Sequence, residues 1–389
     1  MEGTPIIYFD NAATTRTDPE VLDAMRPFFC EKFGNASSQY YDTGRQARTA
    51  LEESRGKLAA LLGAGADEVF FTAGATESDN WVIQSLALTD SKKHVITSAI
   101  EHHAILEPLA FLKKNGYCDF TLLPVDSLGR VSPDDLRKAI RPDTGLVSIM
   151  HANNEIGTIQ PIRELSTVAH DAGIPFHTDA CQSVGKVELD VVELGVDLLS
   201  LSAHKFHGPK GIGALYARKG VRLTAFLHGG GQESRRRAGT SNVAGAVGMA
   251  KAAELAGSRY IPDGPRQATV IEDIWKALSA AIPKMHRNGD PVGRIPNLLS
   301  LCVEGAEGEA ILGYLDMSGI QVSSGSACTS GSLEPSHVLL ACGVPVERAH
   351  GSIRISLSHE STQEDALKLI DAMPKAVARL REMSVTWKG

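Results

Sequence analysis

The sequence predicts an α/β fold: a large domain with a mostly parallel, helix-covered sheet, followed by a smaller α+β domain. Three observations predict it. Short apolar runs alternate with helical stretches from about residue 68 to 217, and strands covered on both faces read as such continuous runs. After about residue 255 this order gives way to a mixed succession of helices and strands. The chain has 389 residues and is 43% hydrophobic, enough for two cores. The expected division is 15–255 for the large domain, and 1–14 with 256–389 for the small one.

The first clear element is a helix in "TGRQARTALEESRGKLAALLG". Ala47, Ala50, Leu51, Leu58, Leu61 and Leu62 recur there at helical spacing, and Gly63 suits the C-cap. The strands follow as "EVFFTAG", "HVITSAI", "FTLLPV", "GLVSIMHAN", "PFHTDA", "DLLSLSA" and "IGALYAR". In the small domain a polar helix precedes "LLSLCVEG". A helix near 307–318, "IQVSS", another helix, "SIRISLS" and a final helix complete the chain. No internal repeat or long linker interrupts it.

Charge and cysteine content exclude several classes. A formal net charge of −7 offers no general attraction to nucleic acid or an anionic membrane. The run Arg235 to Arg237 reads as a solvated face, a small-anion site or an interface. No signal peptide or membrane-spanning run is apparent, and a soluble, cytoplasmic protein is expected. Cys30, Cys118, Cys181, Cys302, Cys328 and Cys342 show neither C-x-x-C nor regular spacing, which argues against a disulfide framework or a cysteine-rich zinc motif. Cys328 differs from the rest, because "SSGSACTSG" is the composition of an exposed loop where a thiol can meet a reactant.

In helix-covered parallel sheets ligands sit beyond the carboxyl ends of the strands. Here those ends carry "AGATESDN", "EHH", "NNE", "DACQ" and "AHK". The first is a small-residue turn opening a helix, where backbone N–H groups with Ala75 and Thr76 could hold a phosphate. The others supply His102, Asn154, Asp179 with Gln182, and Lys205. Pyridoxal 5′-phosphate asks for this set: an amine to bind it, a carboxylate for its ring nitrogen and an anion cradle. It predicts His204 beside the phosphate and His102 over the ring. A metal site on His102, His103, His204 and His207 is the rival reading. It lacks a completing carboxylate or Cys pair, and Gly208 and Pro209 break the helix its spacing would need.

With these residues in view, the chain resembles the cysteine desulfurases of the NifS/IscS class, within the aspartate-aminotransferase-like group of pyridoxal phosphate enzymes. The likeness runs through "YFDNAATT", "FTAGATESDN", "EHHAIL", "SIMHANNEIGTIQPI", "HTDACQSVGK", "SLSAHKFHGPKGIGALY", "HGGGQESRRRAGTSN", "SSGSACTSGSLEPSHVL" and "SIRISLS", in order. The resemblance implies that Lys205 carries the cofactor and Asp179 pairs with its ring nitrogen. Gln182 and Asn154 would bond its phenolic oxygen, Asn154 also lying near substrate. Ala75, Thr76, Ser202 and His204 would hold the phosphate, and Thr240 would reach the phosphate of a neighbouring subunit in a homodimer with shared sites. Arg354 would clamp the substrate carboxylate, a task suited to its planar fork.

The activity so implied is removal of sulfur from L-cysteine, leaving L-alanine and a persulfide on Cys328. That persulfide would be passed to an acceptor such as an iron-sulfur scaffold protein. His102 would handle the substrate thiol proton. Apart from a transient iron-sulfur contact at Cys328, no metal is expected. Cys181 stands where relatives carry a small residue and is expected to be buried and inert. The alternatives are a selenocysteine lyase, an aminotransferase, which would have no use for Cys328, and a noncatalytic sulfur carrier, which would have no use for Lys205 and Asp179.

Overall fold

The computed structural model describes residues 6–89, 92–325, 335–384 and 387. Among the described residues twelve strands fall into three sheets. The first, β1 (Ile7–Tyr8), is followed by seven that form one sheet: β2 (Val69–Thr72), β3 (His94–Ser98), β4 (Asp119–Leu123), β5 (Thr144–Ser148), β6 (Phe176–Asp179), β7 (Leu198–Ser202) and β8 (Gly213–Ala217). Their spatial order is β2-β8-β7-β6-β5-β3-β4. β3 to β7 pair in parallel, whereas β8 runs antiparallel to both its neighbours. Two reversals restore the original direction, so β2 points the same way as β7. The carboxyl ends of β2, β3, β5, β6 and β7 therefore open at one edge of the sheet.

Every residue of β2, β3 and β5 to β8 is buried, as a sheet covered on both faces requires. One face packs on the helices Asp42–Leu62 and Val243–Leu255 through Leu51, Leu58, Leu62 and Met249. The other packs on Ala75–Thr89 and His103–Lys114 through Trp81, Ile83, Ile105 and Leu109. Gly63 ends the helix Asp42–Leu62 in the left-handed region at φ 69°, its N–H returning to Ala59 and Ala60 carbonyls, as the sequence predicts.

The remaining strands are β9 (Met285–Asn288), β10 (Leu298–Val303), β11 (Ile320–Gln321) and β12 (Ser352–Ser356). β12, β10 and β9 form an antiparallel sheet, and β11 pairs in parallel with β1. A second core of Ile271, Ile274, Leu299, Leu301, Ile353, Ile355 and Leu369 lies here, joined by Ile7 and Phe9 from the other end of the chain. Two strands are absent from the sequence reading. β1 has two residues, too few for a period, and β9 is the polar run "MHRN", which has no apolar alternation to betray it.

The segment 10–15 runs from this second unit into the site. Asp10 bridges to Ser356, Ala12 N–H donates to Ser356 Oγ at 2.8 Å, and Thr15 N–H donates to the His204 carbonyl at 2.9 Å. Among the described residues no helix is long and apolar enough to cross a membrane.

Candidate active site

At the open edge of the large sheet lies a cavity of about 610 Å³. Ala75, Thr76, His102, Asn154, Asp179, Gln182, Ser202, His204, Lys205 and Arg354 all line it. Thr240 does not; it is exposed on the loop before the helix Val243–Leu255. Cys328 lies outside the described residues. The chain on either side of it is anchored at the cavity: Ser323 and Arg354 exchange backbone hydrogen bonds of 2.7 and 3.0 Å, and Ser336 Oγ donates to the buried carboxylate of Glu155.

Strand register builds the cradle. Thr72 on β2 and Ser202 on β7 both stand opposite Gly213, which brings the turn after β2 beside the turn after β7. The approach leaves no room for a side chain. A Cβ on Gly213 would sit 2.6 Å from the Leu201 carbonyl and 2.7 Å from Gly74 Cα. The helix Ala75–Thr89 starts here, and its first N–H groups have no partner within the helix, a setting for an anion. Across the cavity His204 Nδ1 meets Thr14 Oγ1 at 3.1 Å. Burial, and then the Lys205 charge, push its proton affinity down to about 4, so a neutral imidazole faces the cradle.

Lys205 ends a short 3₁₀ turn after β7. Its Nζ donates to the carbonyls of Ala12 and Ala13, each at 2.8 Å. Gln182 Nε2 also donates to the Ala12 carbonyl at 2.8 Å, while its Oε1 accepts from Lys186 Nζ at 2.6 Å. Lys186 is buried, and burial reinforced by the Lys205 charge lowers its pKa to about 7. Sequence reasoning missed Lys186, Ala12 and Ala13. The two alanines act through backbone carbonyls, which carry no side-chain signal, although "DNAATT" marked their neighbourhood.

Asp179 ends β6 and accepts from the Cys181 N–H at 2.9 Å. Burial first, and then the Asp179 charge, push the Cys181 thiol well up, which suppresses its thiolate. His102 is the N-cap of the helix His103–Lys114: Nδ1 accepts from Ala104 N–H at 3.1 Å. That bond puts the proton of the neutral ring on Nε2. Burial, against the pull of Asp179, lowers its proton affinity.

Arg354 on β12 is 2% exposed. One guanidinium nitrogen donates to the Asn154 carbonyl at 3.0 Å and another to Asp10 at 2.8 Å, while Nε is buried without a partner. Of the "RRR" run, Arg237 pairs with Glu77 at 2.8 Å and Arg236 stacks 5.0 Å over Phe70. Among the described residues no group of His, Cys, Asp and Glu is arranged to hold a metal ion.

The amine, carboxylate, cradle and guanidinium thus face one cavity from two structural units. Comparison with known proteins adds to this geometry. A family model described as aminotransferase class-V matches residues 7–369. The cysteine desulfurase IscS of Dictyoglomus turgidum is 52% identical over 380 residues, covering 97% of this chain and 96% of that one. Among solved structures, a NifS-like protein superposes with a TM-score of 0.90 at 38% identity, covering 96% of this chain and 100% of its own. SspA, solved in complex with cysteine, superposes with a TM-score of 0.81 at 37% identity, covering 92% of this chain and 100% of its own.

Proposed function

The chain belongs to the class-V aminotransferase family and is a cysteine desulfurase, and from that premise we propose that L-cysteine surrenders its sulfur in this cavity to Cys328. The products are L-alanine and a Cys328 persulfide, and the balance is closed: one carbon–sulfur bond breaks, one sulfur–sulfur bond forms, and the thiol proton ends on alanine. The observation that carries the reading is the convergence of Lys205, Asp179, the start of the helix Ala75–Thr89 and Arg354 on one cavity.

Pyridoxal 5′-phosphate fits that donor set. Lys205 would bind its aldehyde, Asp179 would hold the ring nitrogen, and Ala75, Thr76, Ser202 and His204 would hold the phosphate. Bound there, it supplies an electron sink for the amino-acid substrate. Asn154 and Gln182 would flank the phenolic oxygen. In this geometry Gln182 is oriented by Lys186, whose Nζ donates to its Oε1.

The rest of the work falls to the chain itself. Arg354 binds the substrate carboxylate through the terminal guanidinium N–H groups that remain beside those donating to Asn154 and Asp10. His102 offers Nε2–H as a hydrogen-bond donor as long as Nδ1 caps its helix. Accepting the substrate thiol proton at Nε2 requires the opposite tautomer and release of the Ala104 N–H. Lys205, whose amine is held by two carbonyls, would be the group that moves the α-proton.

A homodimer with shared sites belongs to this reading, with Thr240 reaching the partner's phosphate; its exposure on its own chain supports that placement. So do the division into 15–255 and 1–14 with 256–389, a sulfur-acceptor protein such as an iron-sulfur scaffold, and a cytoplasmic setting. A thiol nucleophile needs a reducing compartment, and the five described cysteines are free.

The test is sulfide and alanine release from L-cysteine with a reductant, for the parent, Cys328→Ser and Lys205→Ala. Equimolar products in the parent, and none in either variant while Cys328→Ser stays yellow, are expected. Full activity in Cys328→Ser would remove the persulfide step.

A further inference from the structure

Behind the Asp179 carboxylate lies a polar string that the proposed reaction does not use. β6 sets His177 and Asp179 on one face, two positions apart. Neighbouring strands place Ser148 opposite His177 and Ser200 opposite Asp179. His177 Nδ1 meets the Ser148 hydroxyl at 2.9 Å, and Nε2 meets that of Ser200 at 3.0 Å. One turn into the helix Ala75–Thr89, Asp79 closes the string, its Oδ1 3.6 Å from His177 Nε2. Asp79, His177 and Ser200 have no solvent exposure, yet Asp79 helps to form the cavity wall. Neither of its carboxyl oxygens has a hydrogen-bond partner.

An ionised carboxylate without a donor is heavily penalised in such a place. Either His177 carries a compensating charge or Asp79 holds a proton. Both imidazole nitrogens already meet hydroxyls, 3.6 Å is too long for a hydrogen bond, and burial drives the proton affinity of His177 down to about 4. Burial and then the Asp179 charge drive Asp79 the other way, and together they outweigh the nearby Ser200 hydroxyl, which favours the ionised form but is engaged with His177 Nε2. The positive end of the helix opposes this, but its effect is smaller than that of complete burial.

We propose that Asp79 is a positioning residue for Asp179: it stands as a neutral carboxylic acid, leaving Asp179 as the charged partner in the cavity floor, and its ionisation is what loosens the cofactor at alkaline pH. The last clause rests on the pyridoxal phosphate reading; the first does not. The titratable groups facing Asp79 are Asp179 and His177 from β6, Cys181 after it, and Glu101 from the loop after β3. Lys205 and His102 face the same cavity. Glu101 is itself driven up to about 8, chiefly by burial, so it does not crowd the floor with charge at neutral pH.

The sign follows from linkage. A carboxyl whose proton affinity is raised in the folded state keeps its neutral form up to its folded pKa and loses that contribution as pH rises through it. Two measurements test the proposal. In the full-length apoprotein at neutral pH, Asp79→Asn should remove one infrared C=O band of a protonated carboxyl. Labelling the parent with ¹³C-aspartate should shift the same band, so the result stands even if the variant does not fold. Absence of that band overturns the proposal. In the cofactor-loaded protein, the alkaline loss of bound yellow chromophore should move up by about one pH unit or more in Asp79→Asn, a tenfold change in proton activity, and stay in place in His177→Gln. An unmoved limb in a folded Asp79→Asn overturns the alkaline clause. Failure of the parent to bind the cofactor would instead strike the cofactor reading, with the infrared band still deciding the state of Asp79.

Discussion

Arg354 shows what one side chain needs from the rest of the molecule. Its position in "SIRIS" and its fork chemistry were legible, whereas its companions Asp10 and the Asn154 carbonyl were not, since they come from distant parts of the chain. Lysine cannot hold both companions and still present a planar pair of donors. Arg354→Lys should therefore raise KM for L-cysteine by about 10- to 100-fold, the loss of a charge-assisted fork, while the protein stays yellow. Steady-state kinetics would check it, and an unchanged KM would take Arg354 out of substrate binding. Lys205 and Asp179 could be read because each follows an apolar strand at the edge where ligands sit. Lys186 and Asp79 could not: a lysine after a glycine and an acid in the first turns of a helix look solvated in sequence, and only packing shows them buried.

Among elements, β8 decides where the cradle forms. The sequence predicted seven strands at these places and a mostly parallel sheet, but the register that sets Thr72 and Ser202 opposite Gly213 depends on pairings between remote segments. No local pattern encodes those pairings. Gly213 is needed for close approach, since a methyl group would strike backbone on both sides. Gly213→Ala should cost about 1–3 kcal/mol, the usual range for overpacking, and weaken cofactor binding as well, because β2 and β7 would be forced apart. Urea unfolding and a cofactor titration would measure both. Loss of stability with unchanged cofactor affinity would show that the cradle tolerates the shift.

For the whole molecule, two cores meet along the segment 10–15 and at the cavity. A ligand held by both units binds the native state alone, so saturating the apoprotein with pyridoxal phosphate at 100 times its Kd should add about 2.7 kcal/mol. A chain of this size would then melt several degrees higher, as calorimetry would show; equal melting temperatures with and without the cofactor would contradict it. The two-unit plan was visible in sequence as a change of rhythm near residue 255, but the return of Ile7 and Phe9 to the second core was not, because nothing local marks a chain end as belonging to a distant sheet. The position of β8 also bears on how the protein is made. Gly74 and Ser202 are brought together only when β8, the last strand of its sheet to leave the ribosome, inserts between β2 and β7. Such non-local closures are slow to form. Competence for the cofactor should thus arrive late in folding, and the first appearance of yellow colour during refolding would time the completion of the sheet.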